Sequence, residues 1–199
     1  MLERELKAAV ADPDDTRKRL ADAGARPTFA GLMRDRRYDR DGLLGARDEV
    51  LRLRELHGRD GSHRARLGWK GPVRVADGYK LRPEHEIDVS DAIETDHLLQ
   101  ALGYSPSFVI DRYVECVDLG GAAIRLEWYP RMDVLIEIEG SAEAIERAVR
   151  AVAIPRPEFS AESLAEFVTR FERRRGERAA VSVEALVQLG GSPPGWFGG

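Results

Sequence analysis

Polar and apolar side chains alternate in short runs over residues 2–8, 50–56, 64–70, 82–89, 108–119, 122–128 and 134–139. Alternation with period two puts every second residue on one face, so each run predicts a strand with one apolar side. Between the runs lie stretches with helical spacing and clear ends. Asp12-Pro13 opens one that closes at Gly24, and Ser90 or Asp91 opens another that closes at Gly103. Ser141 caps a third, with Ile145, Ala148, Val149 and Val152 on one side. Ser160 caps a fourth, striped by Leu164, Phe167, Val168 and Phe171 and ended by Arg173-Arg174-Arg175-Gly176. A short segment over 181–189 and a Gly/Pro-rich end carrying Trp196-Phe197 follow. Residues 1–175 thus predict one domain and 176–199 a partly flexible tail.

A weak internal repeat recurs at an offset of 79 residues. Asp12, Leu20, Gly24, Pro27 and Phe29 are matched by Asp91, Leu99, Gly103, Pro106 and Phe108, and the strand at 3–7 falls over that at 82–86. Each half reads strand, helix, then further strands. Two such halves can close a sheet into a barrel, which removes its exposed edges.

The polar strand faces are ionic. They carry Glu3, Glu5 and Lys7; Arg52 and Arg54; Arg66 and Lys70; Arg82, Glu84, Glu86 and Asp88; Arg125 and Glu127; Glu137 and Glu139. An antiparallel sheet with one solvated face accounts for any one of them. Together they hold both signs of charge and almost no Ser or Thr, which predicts an inverted barrel: apolar faces outward under helices, charged faces around a water-filled lumen. Such a lumen suits a polyphosphate. Arginine and lysine supply charge-assisted donors to phosphate oxygens, and clustered carboxylates are hard ligands for Mg2+ or Mn2+.

Composition narrows the class. A length of 199 residues, 43% hydrophobic and 33% charged, fits one globular domain. With 31 basic against 35 acidic residues the net charge is −4, which excludes a general nucleic-acid binder. The lone Cys116 permits no internal disulfide or thiolate metal cluster and fits a reducing compartment. No apolar leader opens the chain and no run approaches the ~18 residues of a membrane span, so a cytoplasmic protein without a membrane partner is expected. His57, His63, His85 and His97 show no H-E-x-x-H or paired metal spacing, which predicts surface or structural roles.

Several motifs stand in a telling order. They are Glu3-Arg4-Glu5-Leu6-Lys7 (ExExK), Asp35 with Tyr38-Asp39, Leu51-Arg52-Leu53-Arg54, Trp69-Lys70-Gly71-Pro72 and Arg82-x-Glu84-x-Glu86. The series continues with Leu102-Gly103-Tyr104 through Arg112, Ile124-Arg125-Leu126-Glu127 and Leu135-Ile136-Glu137-Ile138-Glu139. Over roughly residues 1–172 this set resembles the CYTH superfamily, the triphosphate tunnel metalloenzymes, and the Leu102 to Arg112 segment looks most like class IV adenylyl cyclases. Arg37 replaces the first aromatic of the family's D-x-Y-[YF]-D element, and Val114 stands where a second basic residue is usual.

The resemblance implies an α+β fold, a closed eight-stranded antiparallel β-barrel with a charged interior and helices packed outside. Carried over, Glu3, Glu5, Glu127, Glu137 and Glu139 are metal ligands for two Mg2+ or Mn2+ ions. Lys7, Arg52, Arg54, Lys70, Arg82, Arg112 and Arg125 grip the triphosphate, and Glu84 and Glu86 orient the cations. Lys7, Glu5 and Glu137 are the catalytic set. The implied reaction is conversion of ATP to cyclic AMP and pyrophosphate by a homodimer. The alternatives are hydrolysis of inorganic or thiamine triphosphate, and a non-catalytic polyphosphate or nucleotide sensor.

Overall fold

The alternating runs become the staves of a closed barrel. A computed structural model describes residues 2–197, in the order β1 (Leu2–Val10), α1 (Pro13–Asp22), β2 (Arg26–Asp39), β3 (Val50–Gly58), β4 (His63–Lys70), β5 (Arg74–Ala76), β6 (Tyr79–Val89), α2 (Ala92–Ala101), β7 (Ser105–Leu119), β8 (Ala122–Trp128), β9 (Val134–Glu139), α3 (Ala142–Val152), α4 (Leu164–Arg175) and α5 (Val183–Gln188). The strands run β1-β9-β8-β7-β2-β3-β4-β6, and a β1–β6 pairing closes the ring. Every pairing is antiparallel. The short β5 pairs only with the start of β6 and stays outside the ring.

The main core lies outside the barrel. Leu6, Ala8, Ile124, Leu126, Ile136 and Ile138 point outward and are buried beneath Ile145, Ala148, Val149 and Val152 of α3 and Leu20 of α1. Full burial of an isoleucine such as Ile136 contributes about 1.5–3 kcal/mol relative to exposure, so this layer holds the helices to the wall. Among the described residues, no helix is long and apolar enough to cross a membrane.

The offset of 79 is a structural symmetry. Glu3 pairs with Arg82 across β1 and β6, and Met33 pairs with Arg112 across β2 and β7. Both pairs are 79 positions apart, so a pseudo-twofold axis passes through both seams. The helix caps obey the same rule. Asp12 accepts from the backbone N–H groups of Asp14 and Asp15, and Asp91 from those of Ile93 and Glu94. Gly24 and Gly103 follow their helices with φ of 84° and 85°, a left-handed conformation that glycine adopts without strain.

Three details differ from the sequence reading. The alternation pattern does not show β2 because both its faces are charged: Asp35 and Arg37 point inward while Arg34 and Arg36 bond Asp111 and Asp96. The three-residue β5 is too short to carry a pattern. The cap of α4 is Ser163, which forms a capping box with Glu166, whereas Ser160 exchanges two backbone hydrogen bonds with Lys7. Beyond residue 175 the chain stays on the barrel. Ala180 pairs with Arg131, and Val183 N–H donates to Asp111 at 2.9 Å. Farther on, Trp196 lies 6.5 Å from the Tyr113 ring and Arg34 stacks on Phe197.

Candidate functional site: an ionic chamber inside the barrel

Because side chains alternate, every second residue of the eight staves faces inward, and most of these are ionic. They surround a chamber of about 970 Å³. Of the expected site residues, Glu3, Glu5, Lys7, Arg52, Arg54, Lys70, Glu84, Glu86, Arg112, Arg125, Glu127, Glu137 and Glu139 all line it. Arg82 does not. Its guanidinium turns to the carbonyl oxygens of Gly71 and Asp48, at 2.6 Å for the latter, and ties down the loops at that end.

One wall is basic around a single acid. Asp35 accepts two bonds from Arg54, at 2.6 and 2.8 Å, and one from Arg112 at 3.0 Å, with Arg52 3.5 Å away. Burial opposes charge on this carboxyl, yet the arginines outweigh it and hold its pKa well below the usual range. Arg112 also donates to Glu127 at 2.9 Å, and Glu127 accepts from Arg125 at 2.7 Å and from the Tyr129 hydroxyl at 2.5 Å. Donors remain free here. Among the described residues, Arg37 Nε, Arg52 Nε and Arg112 Nη1 are buried without a hydrogen-bond partner. A buried unmet donor is costly, so three at one wall point to an anion that completes them.

The facing wall is acidic. In the closed order β1 stands diametrically opposite β2, and β1 and β9 bring together Glu3, Glu5 and Glu139. One oxygen from each of these carboxylates lies within 4.8 Å of the others, a set of hard oxygen donors suited to Mg2+ or Mn2+. Cations border the cluster: Lys70 donates to Glu3 at 2.6 Å, and Lys7 and Lys80 donate to Glu5 at 2.8 and 2.5 Å. Lys7 also reaches Glu137, which Arg125 contacts as well. Glu137 is therefore held ionised against its burial by Arg125 and Lys7. Glu139 goes the other way: burial, then the Glu137 charge, raise its pKa well above the ordinary value.

Glu127 and Glu137 are thus engaged mainly by arginine and Lys7, while Glu3, Glu5 and Glu139, bordered by Lys70, Lys7 and Lys80, are the carboxylates close enough to share one cation. Glu84 lies 3.5 Å from Arg52 and 3.3 Å from Lys70, and Glu86 bonds Arg52 at 3.0 Å and Arg66 at 2.9 Å. The remaining matched residues of the D-x-Y-[YF]-D element, Tyr38 and Asp39, are structural. Tyr38 donates to Asp96 at 2.6 Å, its pKa pushed up to about 12 by burial and that carboxylate, and Asp39 accepts from the backbone of the following loop.

Sequence reasoning left out Asp35, Arg37, Lys80 and Tyr129 as chamber residues. Lys80 had a signal: it lies two residues before Arg82, so the alternation of that strand extends to it. Val114, where a second basic residue was expected, packs with Met33 and Leu56 in an apolar cluster inside the barrel.

No family model matches the chain, and no curated protein matches it. Solved structures share its fold. A candidate adenylate cyclase from Vibrio parahaemolyticus superposes with a TM-score of 0.72 at 19% identity, over 85% of this chain and 98% of that one. The PH1819 protein from Pyrococcus horikoshii OT3 gives 0.69 at 22% identity, over 84% and 98%. HpAC1 from Hippeastrum, a candidate adenylyl cyclase with a dominant triphosphatase activity, gives 0.53 at 15% identity, over 88% and 96%. The closed eight-stranded antiparallel barrel that the CYTH resemblance implies is the fold of this chain.

Proposed function

We propose that this chain is a CYTH-type, metal-dependent enzyme that hydrolyses the terminal phosphate of a triphosphate. The reading rests on one observation: unpartnered buried N–H groups of Arg37, Arg52 and Arg112 and a cluster of three carboxylates line one chamber of about 970 Å³. Arginine donors would take the phosphoryl oxygens, pairwise where the fork allows. Glu3, Glu5 and Glu139 would hold Mg2+ or Mn2+, and their all-oxygen donor set fits either ion. When bound, such an ion supplies Lewis-acid polarisation of phosphoryl oxygens. Lys7 and Lys80, both on Glu5, would stand beside the transferred group and neutralise charge as it develops on the leaving phosphate.

Hydrolysis is preferred to cyclisation because the chamber offers a base little to stack on. Of the aromatic rings lining it, Tyr129 has its hydroxyl on Glu127, and His85 is tilted against Trp69. Cyclisation of ATP is the second reading, favoured by the Leu102 to Arg112 segment and by structural neighbours described as candidate adenylate cyclases.

The test is a product screen with tripolyphosphate, thiamine triphosphate and ATP in Mg2+ or Mn2+, assayed for orthophosphate, pyrophosphate and cyclic AMP. Orthophosphate as the main product is the expected result. Cyclic AMP with stoichiometric pyrophosphate would replace it with the cyclase reading, and tight triphosphate binding without turnover would leave a sensor.

A further inference from the structure

Outside the chamber, the β3–β4 hairpin gathers two imidazoles and a carboxylate that the triphosphate reading does not use. His57 and His63 stand directly opposite in the hairpin register, with ring centroids 4.5 Å apart. Glu55, two residues before His57, shares their face. Its Oε2 lies 4.0 Å from His57 Nε2 and 3.8 Å from His63 Nε2. One ligand atom from each residue lies within 4.8 Å of the other two. Linear spacing hides this group because antiparallel pairing, not a helical step, unites it.

Two donors bound tetrahedrally to one zinc at about 2.0–2.1 Å stand roughly 3.3–3.5 Å apart. The imidazole–carboxylate separations exceed that by about half an ångström, which a small rotation of half-exposed rings closes. In a chain with 27 arginines, no arginine or lysine ion pair holds the Glu55 carboxylate among the described residues. Arg36, whose charge it attracts, is bonded to Asp96 at 3.0 Å. Arg34, the neighbour of Glu55 across β2 and β3, is committed to Asp111 at 2.7 Å.

We propose that Glu55, His57 and His63 form a zinc site on the outer wall of the barrel, with water as fourth ligand. Two nitrogens and one oxygen select zinc, in contrast to the all-carboxylate cluster inside, which selects Mg2+ or Mn2+. The paired strands preset two ligands at opposed positions, so little ordering is needed on binding.

The test is a zinc titration of the full chain against a chromogenic chelator, in excess Mg2+ to fill the chamber. One zinc per chain is expected, retained in the Glu5→Gln/Glu139→Gln double variant. Affinity should fall at least ~10-fold in His57→Ala and in His63→Ala, since even supporting groups of zinc ligands cost that much. Co2+ in place of zinc should show tetrahedral visible absorption that either histidine variant loses. Unfolding in EDTA should leave both histidine variants as stable as the parent, separating ligand loss from misfolding. Unchanged zinc affinity in the His57→Ala/His63→Ala protein, or loss of zinc in the chamber double variant, would overturn the assignment.

Discussion

Lys70 on β4 and Glu139 on β9 occupy the same position in the two halves of the barrel, one a cation and the other an acid. Lys70 pairs with Glu84 and Glu139 with Glu5, and Glu5 and Glu84 are themselves related by the offset of 79. Arg54, paired with Asp35, corresponds likewise to Glu127, paired with Val114. A duplicated scaffold thus carries opposite charge at matched positions. That asymmetry gives the chamber one arginine-rich wall and one carboxylate-rich wall, although the backbone of the two halves is alike.

The inversion places Glu139 beside Glu137, and burial together with that charge raises the Glu139 pKa. The folded, metal-free protein therefore holds this proton more tightly than the unfolded chain does. The stability it contributes is full below the ordinary carboxyl pKa and is lost as pH rises through the raised folded value. Urea midpoints measured in EDTA should accordingly fall with rising pH in that window, and Glu139→Gln should flatten that part of the profile. Binding of Mn2+ should release a proton, seen by calorimetry in two buffers of different ionisation enthalpy. Equal proton release from Glu139→Gln would contradict the assignment.

Asp35 holds the basic wall together. Removing its charge by Asp35→Asn leaves Arg54 and Arg112 buried without their shared anion, and breaking such a network costs about 3–5 kcal/mol. Equilibrium urea unfolding should show that loss, and tripolyphosphate should restore part of it by supplying the missing negative charge. Its depressed pKa fixes the direction with pH: the contribution is present above the ordinary Asp pKa and disappears as pH falls through the folded value.

Arg37 differs, because it has a donor to offer and no ion pair to lose, although Asp35 attracts its charge. Its Nε is buried without a partner, and its guanidinium stacks on Phe108. A hydrogen bond to a charged group contributes about 1.5–3 kcal/mol, so Arg37→Ala should weaken tripolyphosphate binding roughly 10- to 100-fold. Thermal stability without ligand should hold or rise, since burial, joined by the repulsion of Arg52 and Arg112, outweighs the attraction of Asp35 and disfavours its charge. Equal affinity by calorimetry would remove Arg37 from the site.

Much of this was legible in the sequence because the information is periodic. Alternating charge fixed which faces of β1, β3, β4, β6, β8 and β9 meet inside, and the offset of 79 disclosed the twofold arrangement of the staves. What stayed hidden depends on side-chain reach and cross-strand register. Arg82 has the parity of an inward residue, yet its long side chain bends to the carbonyls of Gly71 and Asp48, a choice set by loops distant in sequence. The meeting of His57 and His63 needs the hairpin register. Ser160 looks like a cap, yet the helix starts at Ser163, whose capping box uses the Glu166 carboxylate three residues on.

On the proposed reading, Lys7 and Glu137 are the pair on which catalysis and stability would be most entangled. Lys7 lies between Glu5 and Glu137, nine-tenths buried, and Glu137 is shared with Arg125. Lys7→Ala and Glu137→Ala should each abolish turnover on any triphosphate, but neither is silent for the fold, because each leaves a buried charge short of its partner. The double variant removes both charges at once, so its destabilisation should fall short of the sum of the singles, by up to about 3 kcal/mol of coupling. Urea unfolding of the four proteins of this cycle, with turnover measured on each, separates the two roles. Strict additivity would show that this contact does not carry the cohesion of the chamber, and parental rates in either single variant that it does not carry the chemistry.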